Sequence, residues 1–127
     1  MKWGQQNSVR NKIKRRASPF CKSDTAKPDD SKNAVEQAVK QFGRSHISVN
    51  NVGIGGPLKP VGEYPIGGWD KVISINLSGV FYGLRYQIPA MLTSGGDSIV
   101  NIASILGKVA AKNSPAYVDA KHQTTVF

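Results

Sequence analysis

Residues 98–121, SIVNIASILGKVAAKNSPAYVDAK, decide how this chain is read. A short β-branched apolar run follows the turn-forming pair Gly95-Gly96, and Ser98 to Ser104 is predicted as a strand that ends on a serine. Pro115 suits the first turn of a helix, and Pro115 to Phe127 is predicted to start one. Tyr117 and Lys121 are then one turn apart on a single helix face, so both can act on one substrate. A phenol is a poor acid at neutral pH, and a nearby ammonium favours the phenolate. A tyrosine tuned in this way exchanges a proton with a carbonyl or alcohol oxygen. Ser104, thirteen positions before Tyr117, can hydrogen-bond the same oxygen. The pair alone is weak evidence, because chance supplies about 0.4 Tyr-x-x-x-Lys pairs at this composition.

Moving upstream, helical and strand periods alternate. Pro19 to Asp24 is a short strand candidate, followed by a polar turn through Lys27, Pro28 and Asp29. Asp30 or Ser31 is expected to cap a helix whose Ala34, Val35, Ala38, Val39 and Phe42 recur at helical spacing, with Gly43 as its stop. Ile47 to Asn51 is predicted as a strand that ends in the turn Asn50-Asn51-Val52-Gly53. A loop rich in Gly and Pro, from Gly53 to Gly68, leads to a longer helix carrying Trp69, Val72, Ile73, Leu77, Val80, Phe81, Leu84 and Ile88, with Pro89 able to kink or end it. Strands alternating with helices of this length imply right-handed crossovers and a mainly parallel sheet covered on both faces. In such sheets chemistry gathers beyond the carboxyl ends of the strands, where Asn51 and Ser104 both fall.

Composition sets outer bounds. A chain of 127 residues with 39% hydrophobic and 20% charged residues reads as one globular unit with a cytoplasmic default address. No apolar run approaches the roughly 18 residues of a membrane span, and no signal-like segment opens the chain. The lone Cys21 rules out an internal disulfide framework and is expected to be a small buried hydrophobe in a strand. The net charge of +9 is concentrated: residues 1–23 hold seven Lys or Arg and no acid, leaving ten bases against eight acids in the body. That distribution argues against a nucleic-acid-binding body and sets residues 1–19 apart as a basic, non-family arm, with residues 20–127 as the domain. No cluster of His, Cys and carboxylates suggests a metal, and His46 and His122 are expected to be surface residues.

Taken in order, the elements resemble the central part of the short-chain dehydrogenase/reductase family over residues 20–122 or so. The resemblance rests on Asp24, Phe42-Gly43 ahead of the Asn-Asn-x-Gly turn, Trp69-Asp70, Ile75-Asn76-Leu77, Val100-Asn101-Ile102-Ala103-Ser104 and the Tyr117-to-Lys121 motif. It implies a partial Rossmann-like, doubly wound parallel sheet in three α/β/α layers. It also implies an oxidoreductase that moves a hydride between NAD or NADP and a small alcohol or ketone.

By the same resemblance Tyr117 is the proton donor or acceptor, Lys121 lowers its pKa and holds the nicotinamide ribose, and Ser104 orients the substrate oxygen. Asn76 would hold a water linking Lys121 to solvent, Asp24 would accept from the adenine amino group, and Asn51 and Gly53 would border the adenosine. Homo-oligomers through the long helices are a further implication, and Gly62, Tyr64 and Ile66 are placed near a substrate pocket by location.

The chain departs from the pattern at Val52, where alanine is usual, and at His46 and Asp119. Only Gly4 precedes Gly43 among the thirteen glycines, so the structure is expected to lack the N-terminal glycine-rich βα unit and the C-terminal strands. Apolar faces of the sheet and long helix are therefore expected to be exposed. The alternative is a non-catalytic fragment or pseudoenzyme that acts as a binding or dimerisation partner.

Overall fold

The computed structural model describes residues 20–96 and 98–127, so the basic arm expected over residues 1–19 lies outside the described residues. In chain order the elements are α1 (Pro28–Phe42), β1 (Ile47–Asn50), α2 (Ile66–Ile73), α3 (Gly79–Thr93), β2 (Ser98–Asn101) and α4 (Pro115–Thr124). A π-turn, Ser74–Ser78, joins α2 to α3 without a break, and 3-10 turns occupy Val61–Glu63 and Ile105–Gly107.

Helix α1 begins three to four residues earlier than the sequence suggests. Pro28 takes the first helical position, where its missing N–H is no loss, and Lys27 is the N-cap with no side-chain cap bond. Asp30, inside the first turn, turns its carboxylate back to accept from the Asp24 N–H at 2.8 Å. Asp29 and Asp30 at the start and Lys40 in the last turn match the helix dipole. Gly43 ends the helix in the left-handed region, φ 80°, with its N–H donating to the Val39 carbonyl at 2.7 Å.

β1 and β2 pair in parallel with Ile47 opposite Ser98 and Asn50 opposite Asn101, the crossover pattern expected. The ladder is extended by Ser98 N–H to His46 O at 3.1 Å and Ile102 N–H to Asn50 O at 2.9 Å. β1 then turns away, so β2 ends at Asn101 instead of running on to Ser104, although Ser104 keeps an extended backbone. The strand expected over 19–24 is absent from Phe20 to Asp24. No strand lies beside this segment among the described residues, and a strand without a ladder has nothing to hold it. Phe20 is 91% exposed, and Cys21, expected inside a strand, is exposed as well.

The sheet has two unlike faces. Ser48, Asn50, Ile99 and Asn101 point to the half-buried side, while Ile47, Val49 and Val100 are exposed on the other. On the covered side Asn50 donates to Asn101 Oδ1 at 2.8 Å and to Gln87 Oε1 at 3.1 Å, and Gln87 Nε2 donates back to Asn50 Oδ1 at 2.9 Å. This amide network attaches β1 and β2 to α3, and α1 packs against α3 beside it. Pro89 sits inside α3 without ending it, and the helix continues to Thr93. Helix α4 stops at Thr124, short of Phe127, buries Ala116 and Ala120 completely, and packs against the Ile105–Gly107 turn, the π-turn and α2. No helix among the described residues is long and apolar enough to cross a membrane.

Candidate active site

Three segments distant in sequence meet at Gly53. A Cβ built on Gly53 would lie 3.6 Å from both Asn76 Oδ1 and Lys121 Nζ, so the turn after β1, the π-turn and α4 all reach this point. Lys121 is only 4% exposed; its ammonium donates to the Ile102 carbonyl at 2.9 Å and lies 5.8 Å from the centre of the Tyr117 ring. Its partners are thus a carbonyl just past β2 and a neighbouring ring on its own helix. The sequence indicates Tyr117 and Lys121 through their spacing. The Ile102 carbonyl has no such signature, because any backbone group looks alike in sequence.

Asn76 is completely buried within the π-turn. Its Oδ1 accepts from Ile54 N–H at 2.9 Å and its Nδ2 donates to Ile54 O at 2.8 Å, so the side chain closes a two-way clamp on the residue after Gly53. A buried amide in an apolar helix must find such partners. Only the tertiary fold reveals that the partner is Ile54, 22 residues earlier. Both ends of the Asn76 amide are thus engaged with Ile54.

Ser104 is half-buried and caps the turn Ile105–Gly107, its hydroxyl oxygen accepting from Leu106 N–H at 3.2 Å. That turn packs directly on α4: a Cβ on Gly107 would stand 2.8 Å from the Lys121 carbonyl oxygen. Ser104 is therefore mounted on the helix that carries Tyr117 and Lys121. A second tie joins the loops on either side, with Lys59 N–H donating to Asn113 O at 2.9 Å. Of the three loop residues placed near a substrate pocket, Gly62 and Ile66 are exposed and Tyr64 turns inward against Gly56 and Val72.

Asp24 lies apart from this cluster. Its carboxylate accepts from Ala26 N–H at 3.1 Å and stands 4.0 Å from Lys27 Nζ, with 52% of the side chain exposed. The next residue, Thr25, joins Asn51, Val52, Ile75 and Gly79 around a cavity of about 140 Å3 at the carboxyl end of β1. His122, next to Lys121, is half-buried and uses Nδ1 on the Val118 carbonyl at 2.8 Å, which requires the proton on that nitrogen. Among the described residues no three His, Cys, Asp or Glu side chains gather as metal ligands.

A parallel pair whose carboxyl ends meet such a cluster, flanked by crossover helices, defines a partial Rossmann-type α/β domain. The family model described as short chain dehydrogenase matches residues 5–127, and the chain belongs to that family. It is 48% identical over 104 residues to cyclohexanol dehydrogenase of Acinetobacter sp. (strain SE19), covering 82% of this chain and 41% of that protein. It is 35% identical over 104 residues to (+)-borneol dehydrogenase 2 of Salvia officinalis, covering 81% and 37%. Among solved structures, levodione reductase superposes with a TM-score of 0.80 at 34% identity, covering 82% of this chain and 40% of that one. NAD+-bound xylitol dehydrogenase gives 0.79 at 30% identity with the same coverage. The chain thus spans about two fifths of the length of the curated relatives it matches.

Proposed function

We propose that this chain carries the reacting centre of an NAD(P)-dependent oxidoreductase that interconverts a small secondary alcohol and its ketone. The observation that carries this reading is the meeting of the Lys121 ammonium and the Asn76 amide at Gly53, with Tyr117 on the same helix face as Lys121. A nicotinamide cofactor fits the residues present. Gly53 leaves open the space that a side chain would fill beside Lys121, and the cavity lined by Thr25, Asn51 and Val52 offers a recess at the same carboxyl end of β1. Lys121 would hold the nicotinamide ribose together with Tyr117; Asn51 and Asp24 would border the adenosine, and Gly53 lies where the adenosine side meets Lys121. When bound, the cofactor supplies or takes up the hydride.

The protein's own part is proton handling and orientation. Tyr117 gives its phenolic proton to the oxygen of the ketone, or takes one from the alcohol. Lys121, buried on the same helix face, places its ammonium 5.8 Å from the centre of the Tyr117 ring. Ser104 uses an oxygen lone pair on Leu106 N–H, which leaves its O–H to donate to the substrate oxygen. Asn76 is a positioning residue, holding the Gly53-Ile54 turn through its clamp. A cytoplasmic location belongs to the same proposal.

The alternative, a non-catalytic dimerisation partner, draws on the outer side of α3. Phe81 and Ile88 are exposed there and, with Leu84 and Phe127, line an open hollow of about 430 Å3.

Titrating the purified chain with NADH and NADPH, followed by nicotinamide fluorescence, separates the two readings. Saturable binding that persists in Tyr117→Phe and weakens in Asp24→Ala is expected, followed by turnover of cyclic secondary alcohols that Tyr117→Phe abolishes. A folded chain that binds neither nucleotide but self-associates would favour the dimerisation partner.

A further inference from the structure

We propose that Thr124 is a positioning residue that fixes the register of α4 on the π-turn and so holds Lys121 opposite Asn76. Its role in the reaction rests on the function proposed above; its role in the geometry does not.

Thr124 is 2% exposed and lies at the end of α4. Its Oγ1 is 2.7 Å from the Ala120 carbonyl, the ordinary back-bond of a helical threonine, and 3.3 Å from the Asn76 carbonyl in the π-turn. One hydroxyl hydrogen is shared between two acceptors, one in each helix. The π-turn widens the helical ladder, with Gly79 N–H donating to Ser74 O. Such single-turn widenings concentrate at functional sites.

On the β2 side α4 is held by the bond from Lys121 Nζ to Ile102 O and by the close approach of Gly107 to the Lys121 carbonyl. Ala116 and Ala120, both fully buried, present only methyl groups, which carry no directional bond against a slide of α4 along its axis. A directional bond from Thr124 to Asn76 O resists that slide. Lys121 is three residues before Thr124 on α4, and the Asn76 side chain grips Ile54 next to Gly53. The hydroxyl therefore connects the backbone of the residue whose side chain holds Gly53-Ile54 to the helix that delivers the ammonium. A helical step is about 1.5 Å per residue, so even a partial slide breaks the 2.9 Å bond from Lys121 to Ile102 O.

The test compares Thr124→Val, which keeps the shape and loses the hydroxyl, with Thr124→Ser, which keeps the hydroxyl. Amide hydrogen exchange is read in the full chain at Ile54, bonded to Asn76, and at Val39 in α1 as an internal reference. Exchange at Ile54 relative to Val39 is expected to rise about tenfold in Thr124→Val and to stay near wild type in Thr124→Ser. NADH affinity should fall in the valine variant and return in the serine variant. An unchanged Ile54-to-Val39 ratio in Thr124→Val overturns the proposal, as does an equal acceleration at both amides. If the wild-type chain binds no nicotinamide, the proposed function fails, while the exchange ratio still decides the role of Thr124.

Discussion

The two ends of the proposed cofactor track are built in opposite ways. Around Gly53, Asn76 is fully buried and Lys121 nearly so, and every bond that places them crosses between elements: Asn76 to Ile54, Lys121 to Ile102, Thr124 to Asn76. Around Asp24 the bonds are local, within residues 24–30, and the carboxylate is half in solvent. The first end exists only because the fold exists; the second would form in any chain with this turn. A substitution that strips buried groups of their partners at the first end should therefore disturb folding and function together, whereas one at the second should touch affinity alone.

The largest expected effect follows from breaking the clamp. Asn76→Leu leaves Ile54 N–H and C=O without partners inside the protein, at about 2–4 kcal/mol of stability. The urea midpoint should fall accordingly, and a shift below that produced by any change at Asp24 would erase the contrast. Gly107→Ala comes next. The new methyl meets the Lys121 carbonyl at 2.8 Å, and backbone cannot swing aside as a flexible side chain can. A loss of about 1–3 kcal/mol is expected in thermal unfolding, as for other overpacked sites.

Lys121→Met sharpens the comparison by separating stability from function at one residue. Burying an ammonium carries a desolvation penalty that offsets much of its bond to Ile102, so stability should change by less than about 1 kcal/mol. NADH binding by fluorescence should nonetheless disappear. Asp24→Ala should have the smallest effect on stability, within about 0.5 kcal/mol, because its pair with Lys27 is exposed and long. Binding should weaken several-fold, and unfolding curves at low and high salt should coincide.

The contrast also governs what was readable in the sequence. Local chemistry was legible: the Gly43 stop, the parallel pair from the alternating periods, and Tyr117 and Lys121 sharing a helix. Ser104, expected as the last residue of β2, lies three residues beyond it, because β1 offers no further ladder. Groups that become functional only by meeting a distant partner were not legible. The π-turn has no sequence signature, Ile54 looks like any loop isoleucine, and Thr124 looks like any helical threonine. Cys21 failed in the opposite sense: it was expected as a small buried hydrophobe in a strand, but burial needs a second strand that the described residues do not contain. The same lack leaves Ile47, Val49 and Val100 exposed on one sheet face while Asn50 and Asn101 are covered on the other.

The most direct measurement offers the chain each half of a dinucleotide separately. Reduced nicotinamide mononucleotide and adenosine monophosphate would be titrated into the wild-type protein and into Lys121→Met, with binding followed by amide chemical shifts. Binding of the nicotinamide half is expected, with shifts at Gly53, Ile54 and Lys121 that vanish in Lys121→Met, alongside weaker binding of the adenosine half. Tighter binding of adenosine monophosphate, or no response at Gly53 in a folded chain, would contradict a preformed reacting centre.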